Sequence, residues 1–170
     1  MPHNGRITHH MTHKTIHIFG IPMDLGQKRR GVDMGSSALR YAGLDERLRG
    51  LGYTVRDNGN VTAPQLEEVP DSFSAKVNAH YLPQNAAVCQ AAYERIVQCL
   101  HPDEQAVFIG GDHSMSIGTV SAVASQGEIG VIWVDAHGDF NTPETSPSGN
   151  IHGMALAALV GDGPEALVNL

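Results

Sequence analysis

The sequence predicts an α/β fold in which a parallel sheet is covered by helices on both faces. Apolar strand-like runs alternate along the chain with segments of helical spacing, which is the order that parallel crossover units require. Two of those strands end in glycine, aspartate and histidine, and ligand-type side chains at the carboxyl ends of strands are where open parallel sheets place their sites. The 170 residues show neither an internal repeat nor a linker, so they suffice for one domain with a real core.

The elements follow in order. An apolar strand spans residues 15–21, and a long glycine-rich loop then runs to Gly35. Helices are expected at 36–42 and 45–51 and a strand at 53–57. Residues 61–69 carry Pro64 and no clear period, while 71–81 could be helix or loop. Val88, Ala92, Ile96 and Leu100 recur at helical spacing and predict a helix over 84–100. A strand at 105–109, a helix at 115–125, a strand at 129–134 and a helix at 154–160 complete the pattern. Residues 1–14 contain His3, His9, His10 and His13 without apolar periodicity and read as a flexible arm preceding the domain at 15–170, with Met11 as an alternative start.

The segment Asp135-Ala136-His137-Gly138-Asp139 directly follows the apolar run at 129–134. In extended chain, alternate residues point to the same side, so Asp135, His137 and Asp139 can converge on one small volume. The run Val107-Phe108-Ile109-Gly110-Gly111-Asp112-His113 offers a second strand end with a histidine. Hard carboxylate oxygens with a minority of imidazole nitrogens favour manganese, magnesium or iron, and no cysteine lies in either motif. Four such side chains can hold one ion, or half-hold two about 3.5–4 Å apart. The competing reading is an Asp-rich helix cap beside a solvated histidine.

Residues 140–154 form a polar loop too rich in Pro, Ser and Thr for a regular element. Asn141, Ser148 and Asn150 supply neutral donors and acceptors suited to a zwitterionic ligand, and His152 can move protons near neutral pH. The plainer reading is a surface loop with turn chemistry. The loop at 24–33 also follows a strand's carboxyl end and either closes over substrate or packs under the ligand loop.

Composition sets limits. A formal net charge of −7 argues against a nucleic-acid surface, and the Lys28-Arg29-Arg30 triplet is too short to reverse that. No apolar stretch approaches the roughly 20 residues of a membrane span, which makes the cytoplasm the expected location. Cys89 and Cys99 would lie about 15 Å apart on one helix, which excludes a mutual disulfide and leaves two partly buried thiols.

Together, Gly110-Gly111-Asp112-His113-Ser114, Asp135 to Asn141, Ser148-Gly149-Asn150-Ile151-His152-Gly153-Met154 and the N-terminal segment Gly20 to Gly35 resemble the ureohydrolases, and within them the arginases. The resemblance spans about Thr15 to Val160 and implies the N-terminal part of a three-layer αβα arginase-like domain, with the remainder truncated. It implies a binuclear manganese site in which His113 and Asp139 hold one ion, His137 holds the other and Asp135 bridges them. It further implies hydrolysis of L-arginine to L-ornithine and urea, with Asp139 taking the proton of the attacking hydroxide and His152 shuttling protons to solvent. Asn141, Ser148 and Asn150 would hold the amino-acid end of the substrate, and a longer chain would be a homo-oligomer, trimeric or hexameric.

Two further aspartates that arginases draw from a later Ser-x-Asp-x-Asp-x-x-Asp-Pro segment, and a later glutamate, have no counterpart before Leu170. The expectation is therefore a partial chain with little activity of its own. The alternatives are an agmatinase-type ureohydrolase and a non-catalytic metal-binding module.

Overall fold

The computed structural model describes residues 14–69 and 77–170. The expected flexible arm lies outside the described residues apart from Lys14, as do residues 71–76 of the ambiguous 71–81 stretch.

Strands β1 (Thr15–Ile21), β2 (Thr54–Asn60) and β3 (Gln105–Gly110) form one parallel sheet in the order β2-β1-β3. β1 is central and apolar on both faces, so its alternating side chains feed two separate cores. On one face Ile18 joins Val55 and Ile109 beneath Leu44 and Leu48 of helix α2 (Leu44–Gly50), which follows α1 (Gly35–Tyr41). On the other face Phe19 and Ile21 meet Val88, Ala92 and Ile96 of α3 (Leu82–Cys99) and Ile117 of α4 (Met115–Ala124). Helices on both sides of a parallel sheet are the expected three-layer α/β arrangement. Each fully buried aliphatic side chain here contributes about 1.5–3 kcal/mol relative to exposure.

β2 extends to Asn60, beyond the expected limit at 57, because charge rather than apolar period fixes this sheet edge. Arg40 of α1 donates from Nε to Asp57 Oδ2 at 2.6 Å and from Nη1 to Asn60 Oδ1 at 2.6 Å. The Arg40 hydrogen bond holds the Asp57 carboxyl below its usual range. The C-terminal helical region also differs in detail. A 3₁₀ turn over Ile151–Met154 leads into α5 (Ala155–Leu159), and a short α6 (Glu165–Val168) follows Pro164.

The expected strand at 129–134 does not form. Ile132 is 92% exposed and Val134 90%, and among the described residues no strand pairs with this run. Trp133 turns inward, packing on the larger core and stacking on the His113 ring at 4.5 Å between centroids. Apolar composition supplies the tendency to be a strand, but a ladder needs a neighbour whose N–H and C=O groups complete it.

Both cysteines are free thiols, as spacing required, though Cys89 is wholly buried rather than partly so. Burial pushes its thiol up to about 12. No helix among the described residues is long and apolar enough to cross a membrane.

α4 crosses α3 closely at Gly118, where a Cβ would overlap the Cys89 carbonyl and come within 2.9 Å of Cys89 Cα. Backbone cannot yield there as a flexible side chain would. Gly118→Ala is therefore expected to destabilise the fold by about 1–3 kcal/mol, read as a lower urea midpoint. An unchanged midpoint would mean that the two helices are not packed this closely.

Candidate metal centre and substrate loop

The end of β3 sets the geometry. Gly111 lies against the Met23 backbone, with the position of a Cβ only 2.7 Å from Met23 C, so a side chain there would separate the strand end from the loop at 24–33. The next residue, Asp112, is buried and accepts hydrogen bonds from the backbone N–H of Gly26 at 2.8 Å and of Ser114 at 3.0 Å, and from the Ser114 hydroxyl. Burial is the main influence on this carboxyl and pushes it up, against those hydrogen bonds. The Gly26 carbonyl in turn accepts from the His152 N–H at 3.0 Å. The loop at 24–33 thus packs between the β3 end and the His152 turn, the structural of its two readings. Arg30 further ties that loop down, pairing with Asp24 and, at 2.8 Å, with Glu67.

Beyond Asp112, the ligand-type side chains meet. His113 Nδ1 lies 2.8 Å from Asp139 Oδ2 and 3.2 Å from Asp135 Oδ2, and ligand atoms of the three residues all fall within 4.8 Å of one another. Asp139 is 6% exposed, and its Oδ2 pairs with the His113 ring nitrogen. Two carboxylates drawn this close to each other, one of them buried, carry a repulsion and desolvation cost that a bound cation would offset. Two carboxylates and one imidazole are a donor set for a hard divalent ion.

His137 is placed differently from its two partners in the motif. Its side chain is 80% exposed and hydrogen-bonds through Nδ1 to Asp135 Oδ1 at 3.1 Å, outside the cluster of three. The motif is not extended, so period two does not apply across it. Asp135 Oδ1 accepts the His137 N–H at 2.8 Å, bending the chain back, and Asp139 adopts a left-handed φ of 47°. That His137 N–H is the largest influence holding the Asp135 carboxyl below its usual range. The Asp139 carbonyl accepts from Leu156 N–H at 2.9 Å, which anchors the unusual conformation to the start of α5.

The polar loop folds back over this cluster. Asn141 N–H donates to the Gly153 carbonyl at 3.1 Å, closing the loop at its base. A cavity of about 220 Å³ is lined by His137, Asp139, Asn141, Ser148, Asn150 and His152. Every residue expected to bind substrate or move protons therefore borders one space with Asp139, and Asn150 Oδ1 is buried there without a hydrogen-bond partner. A second cavity of about 250 Å³ touches His113 and Asp135 from the β3 side.

Sequence reasoning assigned no role to Asp112, Trp133, Asn78 or His80. The signal for Asp112 was present, because a carboxylate between Gly-Gly and a ligand histidine has to be buried by the same strand end. Asn78 donates to the carbonyls of Pro143 at 3.2 Å and Ser146 at 2.8 Å, contacts across 65 residues that no local pattern could reveal.

The profile of the Arginase family matches residues 14–168. The arginase of Bacillus subtilis (strain 168) is 50% identical over 158 residues, which cover 92% of this chain and 52% of that protein. The native structure of Bacillus caldovelox arginase superposes with a TM-score of 0.83 at 46% identity, over 92% of this chain and 52% of that one. Entamoeba histolytica arginase in complex with L-ornithine gives 0.82 at 34% identity, over 94% and 54%. The chain spans about half the length of the curated relatives it matches. Since the profile takes in both strand-end motifs and the polar loop, the chain belongs to the arginase family.

Proposed function

We propose that this chain carries part of the active site of a manganese-dependent arginase, which hydrolyses L-arginine to L-ornithine and urea. The observation that carries the reading is the single cavity shared by Asp139, a member of the cluster with His113 and Asp135, and by Asn141, Ser148, Asn150 and His152. The relatives described above are arginases, and one of them, from Entamoeba histolytica, was solved with L-ornithine bound.

His113, Asp135 and Asp139 would hold the cation, with His137 at the exposed edge of the set. When bound, divalent ions supply a hydroxide at neutral pH by lowering the pKa of a shared water. Asp139 is the proton carrier. Its carboxylate would take a proton from the nucleophile and deliver it to the departing amine. His152, whose ring borders the same cavity, exchanges protons with solvent. Asn141, Ser148 and Asn150 fix the α-amino and α-carboxylate groups through neutral hydrogen bonds, with Asn150 Oδ1 as an acceptor already desolvated.

A second reading, metal binding without catalysis by the 170-residue polypeptide alone, is favoured by the position of His137 outside the cluster of three. Urea release by a form supplemented with the remainder of the site separates the two. With manganese present, the polypeptide alone is expected to give only trace urea, whereas a form supplemented by the remainder of the site is expected to turn over L-arginine in strong preference to agmatine. Turnover by the polypeptide alone at roughly 1–1000 per second would contradict the partial-site reading. A preference for agmatine would replace arginase by agmatinase.

In a urea-releasing form, His152→Ala is expected to cut turnover by about 10²–10⁴-fold with manganese content unchanged, because a shuttle does not coordinate the ions. Added imidazole should restore part of the rate. An unaltered pH–rate profile would leave His152 with only the backbone role seen at Gly26.

A further inference from the structure

The polar loop is held from outside as well as by its own hydrogen bonds. Asn78 Nδ2 donates to the carbonyls of Pro143 at 3.2 Å and Ser146 at 2.8 Å. Two residues on, the His80 N–H donates to the Gly149 carbonyl at 2.8 Å, and His80 Nε2 lies 2.9 Å from the Ser148 carbonyl. A carbonyl only accepts, so that contact requires the tautomer with the proton on Nε2. Four hydrogen bonds thus run from Asn78 and His80 to four carbonyls, those of Pro143, Ser146, Ser148 and Gly149, in the loop that carries Ser148 and Asn150.

The fit is tight as well as polar. Gly149 has a left-handed φ of 69°, and a Cβ there would overlap Asn78 Oδ1 and come within 3.0 Å of His80 Cδ2. Within the loop itself, Ser146 Oγ accepts the Gly149 N–H at 3.0 Å, and Ser148 Oγ accepts the Asn150 N–H at 3.3 Å. Those inner bonds set the turn's curvature. Asn78 and His80 set where the whole turn stands relative to Asp139.

We propose that Asn78 and His80 are positioning residues that hold Ser148 and Asn150 in register with the metal cluster, and so set selectivity for a substrate bearing an α-amino-acid end. This rests on the arginase reading for the identity of the substrate. Neither residue borders the cavity lined by the loop. They act through carbonyls of residues 143–149 rather than by touching the ligand.

The consequence for kinetics is specific. A misplaced turn weakens binding of the carboxylate and amino groups while leaving the reacting end of the substrate where the metal cluster holds it. Agmatine has no carboxylate, so its kinetics should be insensitive to the same change.

Amide hydrogen exchange on the 170-residue chain tests the contact without any turnover. In Asn78→Ala and in the near-isosteric Asn78→Asp, which loses the Nδ2 donor, amides of residues 144–150 are expected to exchange roughly ten-fold faster, with β3 and α4 unchanged. Unchanged loop exchange in a folded variant would overturn the proposal. In a urea-releasing form, both variants should raise KM for L-arginine by roughly ten-fold while kcat stays within about two-fold and agmatine kinetics do not move. Equal losses for both substrates, or a loss of manganese, would show a merely structural role and overturn the selectivity. If no form turned over L-arginine, the arginase reading would fall and the selectivity with it, while faster loop exchange would still establish the contact.

Discussion

The buried Asp112 carboxylate is the constraint on which the site depends. It sits one residue before His113 and takes hydrogen bonds from Gly26 on one side and Ser114 on the other. Its oxygens have no solvent to fall back on, so each of these donors is worth more than it would be at the surface, and loss of one leaves a desolvated acceptor. Gly26 passes the restraint on, since its carbonyl holds the His152 backbone. Three segments far apart in sequence, at 24–33, 110–114 and 150–154, are thereby fixed around one charged group. Ser114 extends the set to α3, donating from its hydroxyl to Asn85 Oδ1 at 3.1 Å.

Around that anchor, His113, Asp135 and Asp139 are brought together as one cluster. Asp139 adopts a left-handed backbone conformation that costs of order 1–3 kcal/mol for a residue with a side chain. The hydrogen bond from Leu156 to its carbonyl and the packing of α5 in the core hold it there. Strain at the most buried carboxylate of this cluster is consistent with a site shaped for a ligand rather than for maximal stability of the chain.

Much of the fold was legible because its elements obey local periods. β1, β3, α3 and α4 were readable from alternation and helical spacing; the limits of β1 stand as expected and those of the others moved by at most two residues. Strand ends and polar loop were legible as chemistry, and the structure brings Asp139, Asn141, Ser148, Asn150 and His152 to one cavity. Three features were not legible, each for a physical reason. The run at 129–134 has strand composition, but its pairing depends on a neighbour that composition does not specify. His137 was expected beside Asp135 and Asp139 by strand periodicity, yet the Asp135 carboxylate captures the His137 N–H and bends the chain. Asn78 and His80 act on carbonyls 65 or more residues away, and backbone acceptors leave no trace in residue type.

The central claim is that His113, Asp135 and Asp139 form a cation site on this chain. The most direct test is a manganese titration of the 170-residue chain, following the free Mn²⁺ signal by electron paramagnetic resonance, alongside His113→Ala and Asp139→Asn. The wild-type chain is expected to bind the ion, and each variant to bind at least about ten-fold more weakly with an unchanged circular dichroism spectrum, since each loses one ligand of three. Equal manganese binding by all three proteins would contradict the claim, because the ion would then be held elsewhere.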